Sequence, residues 1–325
     1  MFNRRRLVIT LGATALAAPF ASLAPAQTAQ PARIGLLGPG TASSNAAWVA
    51  ELLARLRDLG YVEGRNFALE PRWAEGRNER LPELAAELVR LKVDVMIAFQ
   101  TPSALAAKQA TSTIPIVMGP AGDPVATGLV ASLARPGGNV TGMSGATSDL
   151  AAKNLELIRD IVPSAKRVAI LANARDPFTK VFLEQIEISA RALGITLQII
   201  MVQGDERLDA AYVEAANGRT AALIVQPSLP QKRTVDLALQ HRLLATSPAQ
   251  GFADAGGVLS YAANVPDRFR DIAYYVDKIL KGAKPADLPV RQPTKFDLVI
   301  NLKTAELIGL KIPRDVLARA DRVIK

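Results

Sequence analysis

The chain has 325 residues, with 39 Lys and Arg against 30 Asp and Glu, a formal charge of +9, one histidine and no cysteine. That composition leaves no disulfide, thiolate metal site, cysteine nucleophile or cysteine-linked lipid, and it rules out a His-rich metal centre. Beyond Arg4, Arg5 and Arg6 the basic residues are scattered among acids, with no basic stripe interleaved with aromatics, so nucleic acid is not the expected partner.

The chain opens with Asn3 and the three arginines, then an apolar run over 7–18, then Ala24-Pro25-Ala26 before Gln27. A basic start, a short apolar stretch and an A-x-A site predict a leader over residues 1–26, cleaved after Ala26. The run is well short of the roughly 20 residues that span a bilayer. The mature protein is expected outside the cytoplasm, and Arg4-Arg5 also fits twin-arginine export. What remains is too long for one core, so two domains are expected.

From residue 33 short apolar strands alternate with amphipathic helices. Strand 33–37 leads to helix 46–59, where Trp48, Leu52, Leu53, Leu56 and Leu59 recur near helical spacing. Strand 66–73, helix 79–91, strand 94–99, helix 102–111 capped by Thr101, and strands 114–118 and 139–142 follow. Helix 149–162 stops at Pro163, and the order begins again with strand 166–171, helix 178–193, strand 196–202, helix 208–217, strand 221–225 and helix 232–244. The tail reads as strand 258–261, helix 267–280, a Pro-punctuated extended segment 285–293, strand 296–301 and helix 303–310. Repeated βαβ units predict an α/β fold of two doubly wound parallel-sheet lobes, and Pro-bounded extended stretches between them suit a multi-crossing hinge. The expected limits are 27–144 with about 262–290 for the N-terminal lobe, and 145–261 with about 291–325 for the C-terminal lobe.

In parallel sheets, ligands bind beyond the carboxyl ends of the strands, where helix N-termini present free N–H groups. Those positions hold Ser43, Ser44 and Asn45; Gln100, Thr101 and Ser103; Asp123; Asn173 and Asp176; Gln226 and Ser228. They come from both halves, and each is also an ordinary capping or turn residue. Asp123 stands out, because Gly122-Asp123-Pro124 puts a carboxylate on a strand-end loop where it could meet an ammonium group. An anion at the helix ends and a cation at Asp123 would suit an amino-acid zwitterion. Phe178 and Tyr261 could stack on a planar ligand or serve the core.

Two motifs raise chemistry. Gly142-Met143-Ser144-Gly145-Ala146 is one residue from the G-x-S-x-G elbow, with Ser144 as nucleophile, His241 as base and Asp236 as orienting acid in an exported hydrolase. Ala146 replaces the last glycine and Asp236 shares the helix of His241, so a small-residue crossing between domains is the favoured reading. Gly38-Pro39-Gly40-Thr41-Ala42-Ser43 approaches a dinucleotide loop, but the next strand ends in Arg72-Trp73, where an acid for the ribose belongs. No cofactor and no enzymatic activity are expected.

Four longer segments carry a resemblance: Leu59-Gly60-Tyr61-Val62-Glu63-Gly64, Gly122-Asp123-Pro124-Val125, the run 133–142 (LARPGGNVTG) and the run 292–301 (QPTKFDLVIN). They resemble the periplasmic ABC-transporter substrate-binding protein family, whose members include tryptophan and tyrosine binders, over essentially the whole mature chain. The resemblance implies a type I periplasmic-binding-protein fold with three crossings. It also implies a monomer that closes on a small polar solute, an amino acid or related compound, and presents it to a membrane permease and its ATPase. A sensor domain partnering a membrane receptor would look the same. The resemblance carries over Thr101, Ser103, Asp123 and Asn173 as ligand-site residues. The chain departs from the family at Pro227-Ser228, just beyond Val225 and Gln226, and over 246–250, which lacks the usual Tyr-Gly.

Overall fold

The computed structural model describes residues 31–325, the side chains at 205 and 265–267 excepted; the leader expected over 1–26 lies outside the described residues. The chain begins with β1 (Ala32–Gly38), α1 (Ala46–Asp58), β2 (Phe67–Trp73), α2 (Leu81–Arg90), β3 (Val95–Ala98), α3 (Gln100–Ala110), β4 (Ile116–Ala121) and β5 (Val140–Ser144). These strands form one parallel sheet in the order β2-β1-β3-β4-β5. Ile34, Leu36 and Leu37 of β1 are all fully buried, as expected of a strand covered on both faces. α2 turns Leu81, Leu84, Ala85 and Leu88 inward at helical spacing. It packs with α3 on one face of the sheet, among Leu37, Met96 and Met118.

The second half runs α4 (Thr147–Ile161), β6 (Arg167–Asn173), α5 (Thr179–Leu193), β7 (Thr196–Val202), α6 (Leu208–Asn217), β8 (Ala222–Val225), α7 (Gln231–Gln240), β9 (Leu244–Ser247) and β10 (Leu259–Ala263). It is completed by α8 (Val265–Leu280), β11 (Phe296–Asn301), α9 (Leu302–Leu307), α10 (Arg314–Ala318) and β12 (Arg322–Ile324). The second sheet has the order β12-β11-β10-β9-β8-β6-β7 and is parallel except where β11 pairs antiparallel with β10. α4 and α5 cover one face through Leu155, Ile158, Phe182 and Ile186, and α6 and α7 cover the other through Leu208, Tyr212 and Val235. This is the expected α/β fold of two parallel-sheet lobes.

Three details differ from the sequence expectation. The helix expected over 232–244 ends at Gln240, because Arg242 takes a left-handed backbone (φ 52) and Leu244–Ser247 joins the sheet as β9. Its short apolar run is equally compatible with either structure, and only pairing with β8 decides it. Thr101 is not the cap of α3, which begins at Gln100 with Phe99 in the N-cap position. The short elements α10 and β12 carry too little periodicity to be read in advance.

The chain passes between the sheets three times. β5 ends in the first sheet and α4 packs on the second, where the buried Asn154 donates from Nδ2 to the Tyr261 carbonyl at 3.1 Å and accepts from Thr246 through Oδ1. After β10, α8 returns to the first sheet and buries Phe269, Ile272, Ala273, Val276 and Ile279 against Ile34, Leu36, Leu52 and Leu56. The third passage pairs with the first: Arg291 N–H donates to the Gly142 carbonyl at 3.0 Å and Ser144 N–H donates to the Arg291 carbonyl at 2.9 Å. The Arg291 guanidinium lies 4.4 Å from the centre of the Tyr274 ring and 2.5 Å from Asp271 Oδ1 on α8. All three passages are thus tied to neighbouring elements. Among the described residues no helix is long and apolar enough to cross a membrane.

Gly142 is where β5 can least accept a side chain. Its φ is 126, and a Cβ there would stand 2.3 Å from the Met118 carbonyl oxygen of the neighbouring strand. Gly142→Ala is expected to cost about 2–4 kcal/mol through backbone strain and overpacking. Urea denaturation should show a lower midpoint; an unchanged midpoint would contradict this packing.

Candidate functional site

The carboxyl ends of the two sheets face one another across a cavity of about 100 Å³. On the first side, the N-terminal part of α1 brings Trp48, the β3–α3 turn brings Phe99, Gln100 and Thr101, and α8 brings Arg268 and Phe269. Trp48, Phe99 and Phe269 form a cluster of three rings with centroids 6.1, 6.3 and 6.3 Å apart, all tilted or edge-on. This wall is apolar and flat-sided. Gln100, a non-glycine residue, takes a left-handed backbone (φ 64), a strain of about 1–3 kcal/mol of the kind that clusters at binding sites.

The second side comes from the loops after β6, β8 and β9. The β6–α5 loop contributes Asp176 and Phe178, the β8–α7 loop Gln226, Pro227 and Ser228, and the segment after β9 Pro248, Ala249 and Gln250. Asp176 is 7% exposed. Its Oδ1 accepts from Phe178 N–H at 3.0 Å and its Oδ2 from Gln226 Nε2 at 2.9 Å. Gln226 is fixed in turn, since its Oε1 accepts from Asn173 N–H at 2.8 Å. Asn173 Nδ2 donates to Ser228 Oγ at 3.3 Å, and the Thr179 hydroxyl donates to the Asn173 carbonyl at 2.5 Å. Burial pushes the Asp176 carboxyl above the usual carboxylate range, while hydrogen bonds from Ser228, Phe178 N–H and Gln226 pull it back. Asp176 and Arg268 are the two ionisable side chains on the wall of the cavity. Among the described residues no group of acids or histidine could hold a metal ion.

The two sides touch at Gly122. Its N–H donates to Thr101 Oγ1 at 3.0 Å and its carbonyl accepts from Ser144 Oγ at 3.2 Å, so its backbone is held from both sides. A Cβ on Gly122 would lie 2.3 Å from Cδ2 of Phe178, which reaches over from the second sheet. Glycine is required by that close approach.

Of the residues singled out from sequence, Gln100, Thr101, Asp176, Phe178, Gln226 and Ser228 line the cavity. Asn173 stands one step behind, holding Gln226 and Ser228. Asp123 lies outside the lining, and its Oδ1 accepts from Val125 and Ala126 N–H groups at 3.0 Å, so the carboxylate caps its own turn. Ser43 and Ser44 are exposed and bond within the turn before α1, where Thr41 N–H donates to Ser44 Oγ at 3.0 Å. Ser103 is fully buried away from the cavity, its hydroxyl without a partner. The Tyr261 ring stacks on Phe296 at 5.9 Å instead of on the cavity. Ser144 is buried with its hydroxyl spent on Gly122, and His241 stacks on Tyr212, so the structure does not assemble a Ser–His pair. Sequence reasoning missed the three rings and Arg268, which lie on elements far apart in the chain.

A family model for ABC transporter substrate-binding proteins matches residues 42–324. Over 269 residues the chain is 26% identical to a tyrosine-binding protein of Clostridioides difficile (strain R20291), covering 79% of this chain and 74% of that protein. A conserved domain protein from Vibrio cholerae has a similar structure, with a TM-score of 0.85 and 28% identity over 90% of this chain and 100% of that one. An ABC domain from Streptococcus pneumoniae, in complex with L-Trp, gives 0.84 and 26% over 91% and 100%. With a match that spans both lobes and the cavity between them, the chain belongs to the family of ABC transporter substrate-binding proteins and has the type I periplasmic-binding-protein fold.

Proposed function

We propose that this protein is the periplasmic solute receptor of an ABC importer and traps an amino acid with a planar, apolar side chain between its lobes. The observation that carries this reading is the division of the cavity: three aromatic rings on one side, a buried, hydrogen-bonded carboxylate on the other. The rings offer faces and edges to a planar group, and Asp176 offers a counter-charge to an ammonium. The tyrosine-binding relative and the L-Trp complex support the choice of solute class.

Trapping follows from where these groups sit. The lobes are taken as 27–144 with about 262–290, and 145–261 with about 291–325, turning about the three tied passages. A solute that touches both Phe99 and Asp176 makes its full set of contacts only with the lobes together. It therefore shifts the open–closed equilibrium by its differential affinity. The Phe178 contact at Gly122 is the protein's own part of that closed arrangement. No covalent step is involved. The leader over 1–26 would deliver the monomer to the periplasm, where the closed form docks on a permease coupled to an ATPase.

Four outcomes are expected. L-Tryptophan or L-tyrosine at about 100 times its dissociation constant should stabilise the protein by about 2.7 kcal/mol in a thermal-shift measurement; no shift with any aromatic amino acid would sink the solute assignment. Asp176→Asn should weaken such binding about 10- to 100-fold by calorimetry, the worth of a charge-assisted hydrogen bond. Since the ammonium needs the ionised carboxylate and burial raises its titration, affinity should decline as pH falls, beginning above the range of ordinary aspartates, and Asp176→Asn should flatten that profile. Gly122→Ala should hold the lobes apart: small-angle scattering should show ligand-induced compaction in the parent and little in the variant, with Phe178→Ala restoring it. Full compaction in Gly122→Ala would argue against this contact as part of closure.

A further inference from the structure

Arg268 stands at the start of α8, on the wall of the cavity. Its Nε is buried without a hydrogen-bond partner, and among the described residues none pairs with its guanidinium. Among the described residues, Asp271, one turn along α8, pairs with Arg291 at 2.5 Å, and Asp176 on the cavity wall accepts from Phe178 N–H and Gln226 Nε2. Burial alone pushes the guanidinium down to about 10, so it remains a cation at neutral pH. A buried polar group on a charged side chain with no hydrogen-bond partner is one of the costlier features a fold can keep.

We infer that Arg268 binds the carboxylate of the trapped amino acid, so that the solute itself completes an ion pair which the apo protein leaves open. This assignment rests on the amino-acid reading above and adds the residue that distinguishes an acid from the corresponding amine. The guanidinium presents parallel N–H donors that fit a carboxylate in bidentate fashion. With Asp176 on the opposite lobe, the two ends of a zwitterion would be held from different sides. A decarboxylated analogue would leave Arg268 unpaired and add a second cation to the site, which the site should reject.

The test compares L-tryptophan and L-tyrosine with tryptamine and tyramine by calorimetry, on the full mature chain and on Arg268→Met and Arg268→Lys. The parent is expected to prefer the acids by about 100-fold. Arg268→Met should lose that preference by weakening the acids while leaving the amines unchanged or tighter, and Arg268→Lys should restore part of it. Melting of the ligand-free proteins gives a readout independent of any ligand: Arg268→Met should melt at or above the parent temperature, because it removes an unpaired buried charge. A preference for acids that survives in Arg268→Met, or a lower melting temperature of its ligand-free form, would overturn the role of Arg268 while leaving the amino-acid reading intact. Failure of both acids to bind the parent would overturn that reading and this inference together.

Discussion

The site depends on one buried hydrogen-bond relay. Asp176 is withdrawn from water, which favours its neutral form, yet it is surrounded by donors: Phe178 N–H, the Gln226 amide and the Ser228 hydroxyl. Gln226 can serve it only because its own oxygen is taken by Asn173 N–H, which fixes the amide with its nitrogen toward the carboxylate. Asn173, Asp176, Gln226 and Ser228 come from two strand-end loops of one sheet, so the relay exists only when β6 and β8 are neighbours. The polar end of the cavity is therefore a consequence of strand order.

The apolar end depends on the passages between sheets. Phe269 and Arg268 are supplied by α8, which follows a strand of the second sheet and packs on the first. Its apolar stripe is what draws it back, at about 1.5–3 kcal/mol for each large side chain fully buried. The same helix anchors Arg291 through Asp271 and Tyr274, and Arg291 pairs with β5. One helix thus furnishes the wall of the cavity and steadies the passages about which the proposed closure turns. In the proposed reading, rings from one lobe and a carboxylate from the other are both satisfied by the solute.

Much of the rim was legible in advance, because parallel sheets concentrate capping residues where ligands bind. Asp176, Gln226, Thr101 and Ser228 all sit at positions read from the strand ends. Choosing among them was another matter. Asp123-Pro124 and Asp176-Pro177 are alike on paper, and both aspartates accept from the N–H two residues on. The second oxygen of Asp176 meets Gln226, about 50 residues away in the chain, and the residue is buried; Asp123 turns its carboxylate onto its own loop. Tyr261 illustrates the same gap, since the antiparallel pairing of β10 with β11 gives its ring to Phe296.

By itself the sequence determined the alternation of strands and helices, the restart of the pattern near 145–166, and the absence of cysteine chemistry, because these are set by local spacing and composition. Its longer motifs also pointed to the family that the match over residues 42–324 establishes. Only the tertiary structure decided that Leu244–Ser247 is a strand, that Asp176 rather than Asp123 faces the cavity, and that Trp48, Phe99 and Phe269 meet in one wall. It alone left the Nε of Arg268 buried without a partner. Such facts arise from contacts between residues up to more than 200 positions apart, and burial, pairing and unpaired charge are properties of those contacts, not of any stretch of chain.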